Sequence, residues 1–222
     1  ILTVEDPVEY ALEGIGQTPV NTKSGMTFAK GLRAILRQDP DVVMIGEIRD
    51  PETAQIAVQA SLTGHLVLST LHTNDSLGAI TRLMDIGVEP YLIASAVKGV
   101  LAQRLVRTLC QHCRTQYRLT DEDARALGDS QISQRLVFEN AGCDQCNHTG
   151  YAGRKGIYEM LVIDRPLSRL IHDCAGEHKM AEYANKTLVT MLDQGRDLVL
   201  AGVTSPAEVL RMVKESADHA IL

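Results

Sequence analysis

The sequence predicts an α/β fold: a parallel sheet over residues 1–109, a cysteine-rich module over 110–150 and a mostly helical region over 151–222. Three observations predict it. Short β-branched and apolar runs alternate with helical stretches through the first half, the order that gives a parallel sheet with crossover helices. Two C-x-x-C pairs bracket the middle segment. Past Pro166, apolar residues recur at helical spacing.

The elements follow in order. "ILTVE" (1–5) is β-branched and apolar, as a buried strand requires. "MTFAKGLRAILRQ" (26–38) sets Phe28, Leu32, Ile35 and Leu36 at helical spacing, and "DVVMIGE" (41–47) is a second buried strand. "PETAQIAVQASLTG" (51–64) opens with proline at a first helical position and stops at Gly64. "HLVLSTLH" (65–72) is a third strand, and "SLGAITRLMDIG" (76–87) a helix ended by Gly87. "PYLIASAVKGVLAQRLVRTL" (90–109) reads as helical at first, with no clear end. Between the cysteine pairs, "DEDARALGDSQISQ" is polar and is expected to loop out; "GYAGRKGIYEML" (150–161) reads as a turn into a strand. Helices are expected over 166–174, over 177–201 with a break, and over 205–216. The last has Ser205 as N-cap, Pro206 first and Glu208 third.

Bulk properties exclude several classes. With 222 residues and 45% hydrophobic content the chain has the makings of an ordinary globular core. No apolar run approaches the roughly 20 residues of a membrane span, so no transmembrane segment is expected. The start lacks a basic n-region and a cleavage site, lacks methionine, and reads as mid-strand. A piece of a longer protein is the expectation. The net charge of −6, the absence of Trp and the presence of only 2 Phe argue against a nucleic-acid partner. Arg104, Arg107, Arg114 and Arg118 flank the first cysteine pair, but the insert beside them is acidic.

The pairs are Cys110 with Cys113, and Cys143 with Cys146. The x-x spacing lets two thiolates bind one ion from a tight turn, and two such turns complete a tetrahedron. A structural Zn²⁺ in a reducing compartment is therefore expected, with a closed shell that contributes folding energy and no catalysis. In this reading His112 and His148 are spectators, and Cys174 is expected to be a small packed residue.

In "DVVMIGEIRD" (41–50) the apolar run Val42–Ile45 ends at a glycine and then at Glu47. A carboxylate there is costly unless it holds a metal, a water or a partner. Ligands of parallel α/β sheets bind beyond the carboxyl ends of the strands, where an acid can hold magnesium or orient an attacking water. Strand followed by acid is the Walker B pattern of P-loop ATPases, although many strands end this way. The neighbours add to it. "TVEDPVEY" closes the first strand with Glu5, Asp6 and Glu9. "TGHLVLSTLHTN" places His65 and His72 at opposite ends of the third. Arg33 and Arg37 are four apart, hence on one helical face, and Arg49 follows Glu47 by two. Each also has a structural reading, as a packed histidine, a solvated arginine face or an acidic turn.

These stretches resemble the secretion ATPases of the type II secretion and type IV pilus assembly families. "TVEDPVEY" is similar to their Asp box, "DPDVVMIGEIRD" to their Walker B segment and "TGHLVLSTLHTND" to their His box; "LRAILRQDPD" and "LAQRLVRTLC" also read like family sequence. The cysteine pairs, and the lack of an "AIRNLIRE"-like motif that marks retraction ATPases, favour the secretion or pilus-assembly branch, and type II secretion most. The resemblance implies a truncated RecA-like P-loop ATPase domain with a small zinc-binding module and a C-terminal helical region. It implies ATP with Mg²⁺ as cofactor. Glu47 would polarise the attacking water or sit in the magnesium shell. Glu5 and Glu9 would act near the magnesium and the water, with Asp6 in support, and His65 and His72 would contact the γ-phosphate region. Arg33 and Arg37 would face phosphates or a neighbouring domain, with Arg49 and Arg104 as further candidates. It further implies a hexameric ring, cytoplasmic and peripheral at the inner membrane, acting on inner-membrane platform proteins to drive pseudopilus assembly.

One family feature is missing. G-x-x-x-x-G-K-[ST], the loop whose N–H groups cradle phosphates and whose lysine neutralises them, does not occur in the sequence. In the resembled family it lies upstream of the Asp box, where this chain begins. Charge-assisted bonds contribute about 1.5–3 kcal/mol each, so losing several is severe. The parent protein is expected to hydrolyse ATP, and this chain alone is not. Two alternatives stay open: a portion of a pilus-assembly ATPase, and a catalytically silent, zinc-stabilised interaction fragment.

Overall fold

The computed structural model describes residues 1–218, so the end of the region expected over 151–222 lies outside the described residues. The chain divides into two compact units. Unit one comprises Ile1–Thr73, Leu77–Val100 and Val162–Ala184; unit two comprises Asn74–Ser76, Leu101–Leu161 and the chain from Asn185 onward.

Unit one is built on a four-stranded parallel sheet. β1 (Leu2–Glu5) pairs with β2 (Gly16–Pro19) on one side. The short, largely polar "GQTP" carries no strand signal in sequence, and its proline is tolerated because the strand lies on a sheet edge. α1 (Phe28–Ile35) starts at Thr27, whose side chain accepts from the Lys30 N–H. It lies tight on β1, since a Cβ on Gly31 would stand only 2.8 Å from Val4 Cγ1. The chain then tightens into a 3₁₀ turn over Leu36–Gln38 before β3 (Val42–Ile45). α2 (Pro51–Leu62) is capped by Asp50, which accepts from the Thr53 N–H, and leads into β4 (Leu66–Ser69). The strand order is β2-β1-β3-β4. Val4, Leu32, Ile35, Val43, Ile45 and Ala57 form the core between sheet and helices. α3 (Ser76–Asp85) and α4 (Pro90–Ala96) follow.

After Ala96 the structure departs from the helical reading. The chain turns into a long strand, β5 (Gly99–Leu109). Leu101, Leu105 and Leu109 are spaced by four, which suits a helix face and, being even, a strand face equally. β6 (Thr115–Arg118), α5 (Asp121–Ala126) and β7 (Leu136–Glu139) come next, with β6 and β7 antiparallel. The insert expected to loop out is thus folded. Its Ala124, Leu127 and Ile132 are buried in a core with Leu119, Val137, Val199 and Val209. β8 (Tyr151–Val162) pairs with β5 in a two-stranded ribbon. The two strands come from either side of the 110–150 segment, so the ribbon joins the expected first and last segments.

The remaining helices are α6 (Arg165–His172) and α7 (Glu177–Ala184) in unit one, and α8 (Met191–Leu200) and α9 (Pro206–Asp218) in unit two. The break expected inside 177–201 lies between Ala184 and Met191, and α8 is opened by a Thr190–Asp193 capping box.

Glu208 does more than complete the start of α9. The Ser205 hydroxyl accepts from its N–H at 3.3 Å, but the carboxylate turns to arginines. It accepts from Arg107 Nη2 at 2.7 Å, from the Arg107 N–H at 3.1 Å and from Arg211 at 3.0 and 3.2 Å. The side chain is fully buried. Burial pushes the carboxyl up, but the bonds from Arg107 and Arg211 outweigh it and hold it down at about 2. A carboxyl depressed on folding stabilises above its unfolded value, here 4.5, and that contribution is lost as pH falls toward 2. Glu208→Gln should therefore flatten acid unfolding in that window and cost at most about 3 kcal/mol at neutral pH, less where solvent screens the half-exposed arginines. Urea unfolding at several pH values would show it; a pH dependence equal to wild type would exclude Glu208 as its source.

Candidate active site and metal cluster

The strand order places a topological switch point between β1 and β3: the chain leaves β1 for β2 on one side and returns to β3 and β4 on the other. Crevices of open α/β sheets form at such a point, beyond the carboxyl ends of the strands. Glu5 ends β1, and Glu47 follows β3 by two residues. Gly46 lets the two strand ends approach, donating its N–H to Val4 O at 2.8 Å. A side chain there would meet Val4 O at 3.3 Å and Glu5 Cα at 3.4 Å.

Both carboxylates are buried and both are held. Glu5 Oε1 accepts from the Thr3 hydroxyl at 2.5 Å and from Gln17 Nε2 at 2.9 Å. Glu47 Oε2 accepts from Arg49 Nε at 2.5 Å and lies 3.0 Å from His72 Nε2. The Arg49 and His72 side chains are 69% and 80% exposed, so solvent screens these contacts. The turn to His72 is tied to the same crevice by Thr70, whose hydroxyl donates to Gly46 O at 2.5 Å. The result is a pair of fixed acids, one with a movable imidazole and guanidinium on it. Such a group can hold a hydrated cation or orient a water.

Other candidates are placed elsewhere. Asp6 and Glu9 are exposed beyond β1. His65 precedes β4, at the opposite end from His72; its Nδ1 lies 2.9 Å from Ala60 O and 3.3 Å from Thr63 Oγ1. Those contacts tie it to the end of α2. Arg33 pairs with Glu52 at 2.7 Å on the surface. Arg37 falls in the 3₁₀ turn, so the shared-face spacing with Arg33, which assumes an unbroken α-helix, does not hold. Arg104 lies in unit two, bonded to Asn74 Oδ1 at 2.9 Å. Thr3 and Gln17 are supports that sequence reading missed. Thr3 shares the strand face of Glu5 at period two, a usable signal, whereas Gln17 sits on the unrecognised β2.

In unit two the four cysteines converge, with sulfurs all within 4.8 Å of one another. The measured edges are Cys110–Cys143 at 3.9 Å, Cys113–Cys146 at 3.8 Å and Cys143–Cys146 at 3.8 Å. A tetrahedron with metal–sulfur bonds of about 2.3 Å has edges of about 3.8 Å, so the set is compatible with one zinc ion. The turns also aim N–H groups at sulfur: Gly142 at Cys113 (3.2 Å), Cys143 at Cys146 (3.3 Å) and Gly150 at Cys146 (3.2 Å). Burial pushes the Cys143 thiol up to about 11. At Cys146 burial also raises the thiol, but the N–H bonds from Cys143 and Gly150 prevail and bring it to about 6. The Cys110 N–H donates to Gly150 O at 2.9 Å, so the β5–β8 ribbon ends at the cluster.

A family model described as "Type II/IV secretion system protein" matches residues 1–211. The type II secretion system ATPase E of Vibrio cholerae serotype O1 is 59% identical over 217 residues, covering 97% of this chain and 43% of that protein. The type II secretion system protein E of Aeromonas hydrophila is 58% identical over 215 residues, with the same 97% and 43% coverage. The chain therefore spans 43% of the length of these curated relatives. Among solved structures, the pilus retraction motor PilT with bound ADP superposes with a TM-score of 0.65 at 26% identity, over 96% of this chain and 52% of that one. The Legionella pneumophila ATPase DotB shares the fold, with a TM-score of 0.66 at 21% identity over 97% of this chain and 52% of that one. Among the described residues no helix is long and apolar enough to cross a membrane. With its acids at the switch point of a parallel sheet and a family match along almost its whole length, the chain belongs to the type II/IV secretion system protein family.

Proposed function

We propose that the chain is the C-terminal portion of a type II secretion motor, in which ATP hydrolysis drives pseudopilus assembly and protein export across the outer membrane. The observation that carries this is the pair Glu5 and Glu47 at the switch point, with His72 on Glu47. Magnesium-bound ATP supplies the phosphate that is cleaved. Glu47 orients the attacking water or holds the magnesium shell, Glu5 stands beside it, and His72 and Arg49 sit where negative charge develops. Asp6, Glu9, His65, Arg33, Arg37 and Arg104 belong to the wider set proposed for this site and for contacts with neighbouring domains. The names of the curated relatives and the likeness to PilT with bound ADP support the reading. In the whole protein we place the motor in a hexameric ring, cytoplasmic and peripheral at the inner membrane, working on platform proteins there. The Cys₄ cluster holds structural zinc and belongs to the 110–150 module.

Calorimetric titration with Mg²⁺ and a non-hydrolysable ATP analogue separates the whole protein from this chain. The whole protein should bind at micromolar concentration. The 222-residue chain, which has no phosphate-cradling loop, should show no heat of binding up to millimolar analogue. Micromolar binding by the chain would mean that other groups hold the phosphates. No binding by the whole protein would sink the motor reading in favour of a silent interaction module.

A further inference from the structure

We infer that Gln17 is a positioning residue that aims the Glu5 carboxylate. The functional meaning of this rests on the hydrolase reading above. All the residues concerned lie in unit one. β1 and β2 pair in parallel, with Thr3 opposite Gln17 and Glu5 opposite Pro19. Residues opposite one another in a sheet share a face, as do residues two apart on one strand. Thr3, Gln17 and Glu5 therefore stand on the same face. The backbone alone holds the two strands together: the Gly16 N–H donates to Ile1 O at 3.2 Å and the Val20 N–H to Glu5 O at 2.8 Å. Pairing does not need the Gln17 side chain.

That side chain makes three bonds. Its Nε2 donates to Glu5 Oε1 at 2.9 Å and to Tyr10 O at 3.0 Å, and its Oε1 accepts from the Leu12 N–H at 2.7 Å. An N–H can only donate and a carbonyl only accept, so Leu12 and Tyr10 give the amide one orientation, with N–H toward Glu5. The backbone of the segment after β1 thus locks the amide, and the amide holds the carboxylate. Glu5 is buried, and a buried carboxylate is costly without donors. Thr3 Oγ1 and Gln17 Nε2 both land on Oε1. Among the described residues Oε2 has no hydrogen-bond partner, and no fully buried side-chain oxygen lacks one, so Oε2 meets solvent. One oxygen is held and the other is offered to a hydrated cation or a water. With Thr3 alone the carboxylate could swing about Oε1; a second donor from the neighbouring strand removes that freedom.

The test combines crystal structures of the whole protein and its variants with steady-state ATP turnover at neutral pH. In Gln17→Ala the Glu5 carboxylate should move by about 1 Å or more, or split into two conformers, while β2 stays paired. The kcat should fall about 10-fold or more, with KM for ATP within about threefold. Gln17→Glu keeps the size of the side chain but loses both donors, so its kcat should fall at least as far. Recovery in Gln17→Glu would reduce Gln17 to a filler of space and overturn the inference. In a Glu5→Gln background, Gln17→Ala should cost less than about twofold more, because Gln17 acts through Glu5. Fully additive losses overturn the inference, as does normal turnover with Glu5 displaced. An unmoved Glu5 in Gln17→Ala overturns it whatever happens to turnover. A wild-type protein that hydrolyses no ATP, yet whose Glu5 moves in the variant, removes the hydrolase reading and leaves the positioning role standing. Should Gln17→Ala fail to fold, Gln17→Glu carries both the structural and the kinetic test.

Discussion

Glu47→Gln in the whole protein should lower ATP turnover by about 100-fold or more and leave nucleotide binding within about threefold. The substitution keeps the shape at the end of β3 and an oxygen for Arg49 and His72 to bond. What it removes is the negative charge that, in the proposed reaction, takes a proton from the attacking water or holds a hydrated magnesium ion. Proton removal counts only when chemistry occurs, and a magnesium ion that keeps its water shell is held only loosely in the ground state, so the loss should fall mainly on kcat. Steady-state phosphate release, read beside calorimetric affinity, checks it. A variant that turns over at the wild-type rate would remove Glu47 from the reaction. Equal losses of affinity and turnover would place it in ground-state binding of the nucleotide.

With zinc in the Cys₄ cluster as proposed, stripping it, or replacing Cys146 by serine, should lower the thermal midpoint by about 10 °C or more. The four sulfurs are drawn from two turns, 110–113 and 143–146, that close the end of the β5–β8 ribbon. Without a shared ion, four thiols at tetrahedral spacing gain nothing from being held together, and the ordering cost of both turns stands uncompensated. Metal analysis should find one zinc per chain. Release should rise on acidification, because protons compete with the ion for thiolate, and the N–H bonds to Cys146 delay that competition at one of the four ligands. A metal-free protein with an unchanged midpoint would reduce the cluster to a decoration of the fold.

Legibility differed between elements for physical reasons. β1 and β3 were readable because strands of a parallel sheet are buried on both faces and must be runs of apolar residues. The acids that end them were readable too, since charge at the end of such a run is costly without a purpose. α2 declared itself through Pro51 and Gly64, which act within a few residues of the chain, whereas its Asp50 cap was not read. The cysteine pairs were readable because one ion needs two short turns, and the metric of each turn is local. β5 was not, because leucines spaced by four satisfy the helix and the strand equally, and only pairing with β8, more than forty residues on, decides between them.

What the sequence determined by itself was therefore the local chemistry: buried strands with terminal acids, capped helices, a four-cysteine set and the absence of a phosphate loop. Tertiary structure alone decided which of these meet. It set His72 on Glu47 and tied His65 to the end of α2. It took Arg37 off the helical face of Arg33, folded the polar insert around Leu119 and Val137, and put a fully buried Glu208 between Arg107 and Arg211. The pairings of His72 with Glu47 and of Arg107 with Glu208 join residues far apart in the chain, and their free energy depends on distance and burial, neither of which a one-dimensional pattern encodes.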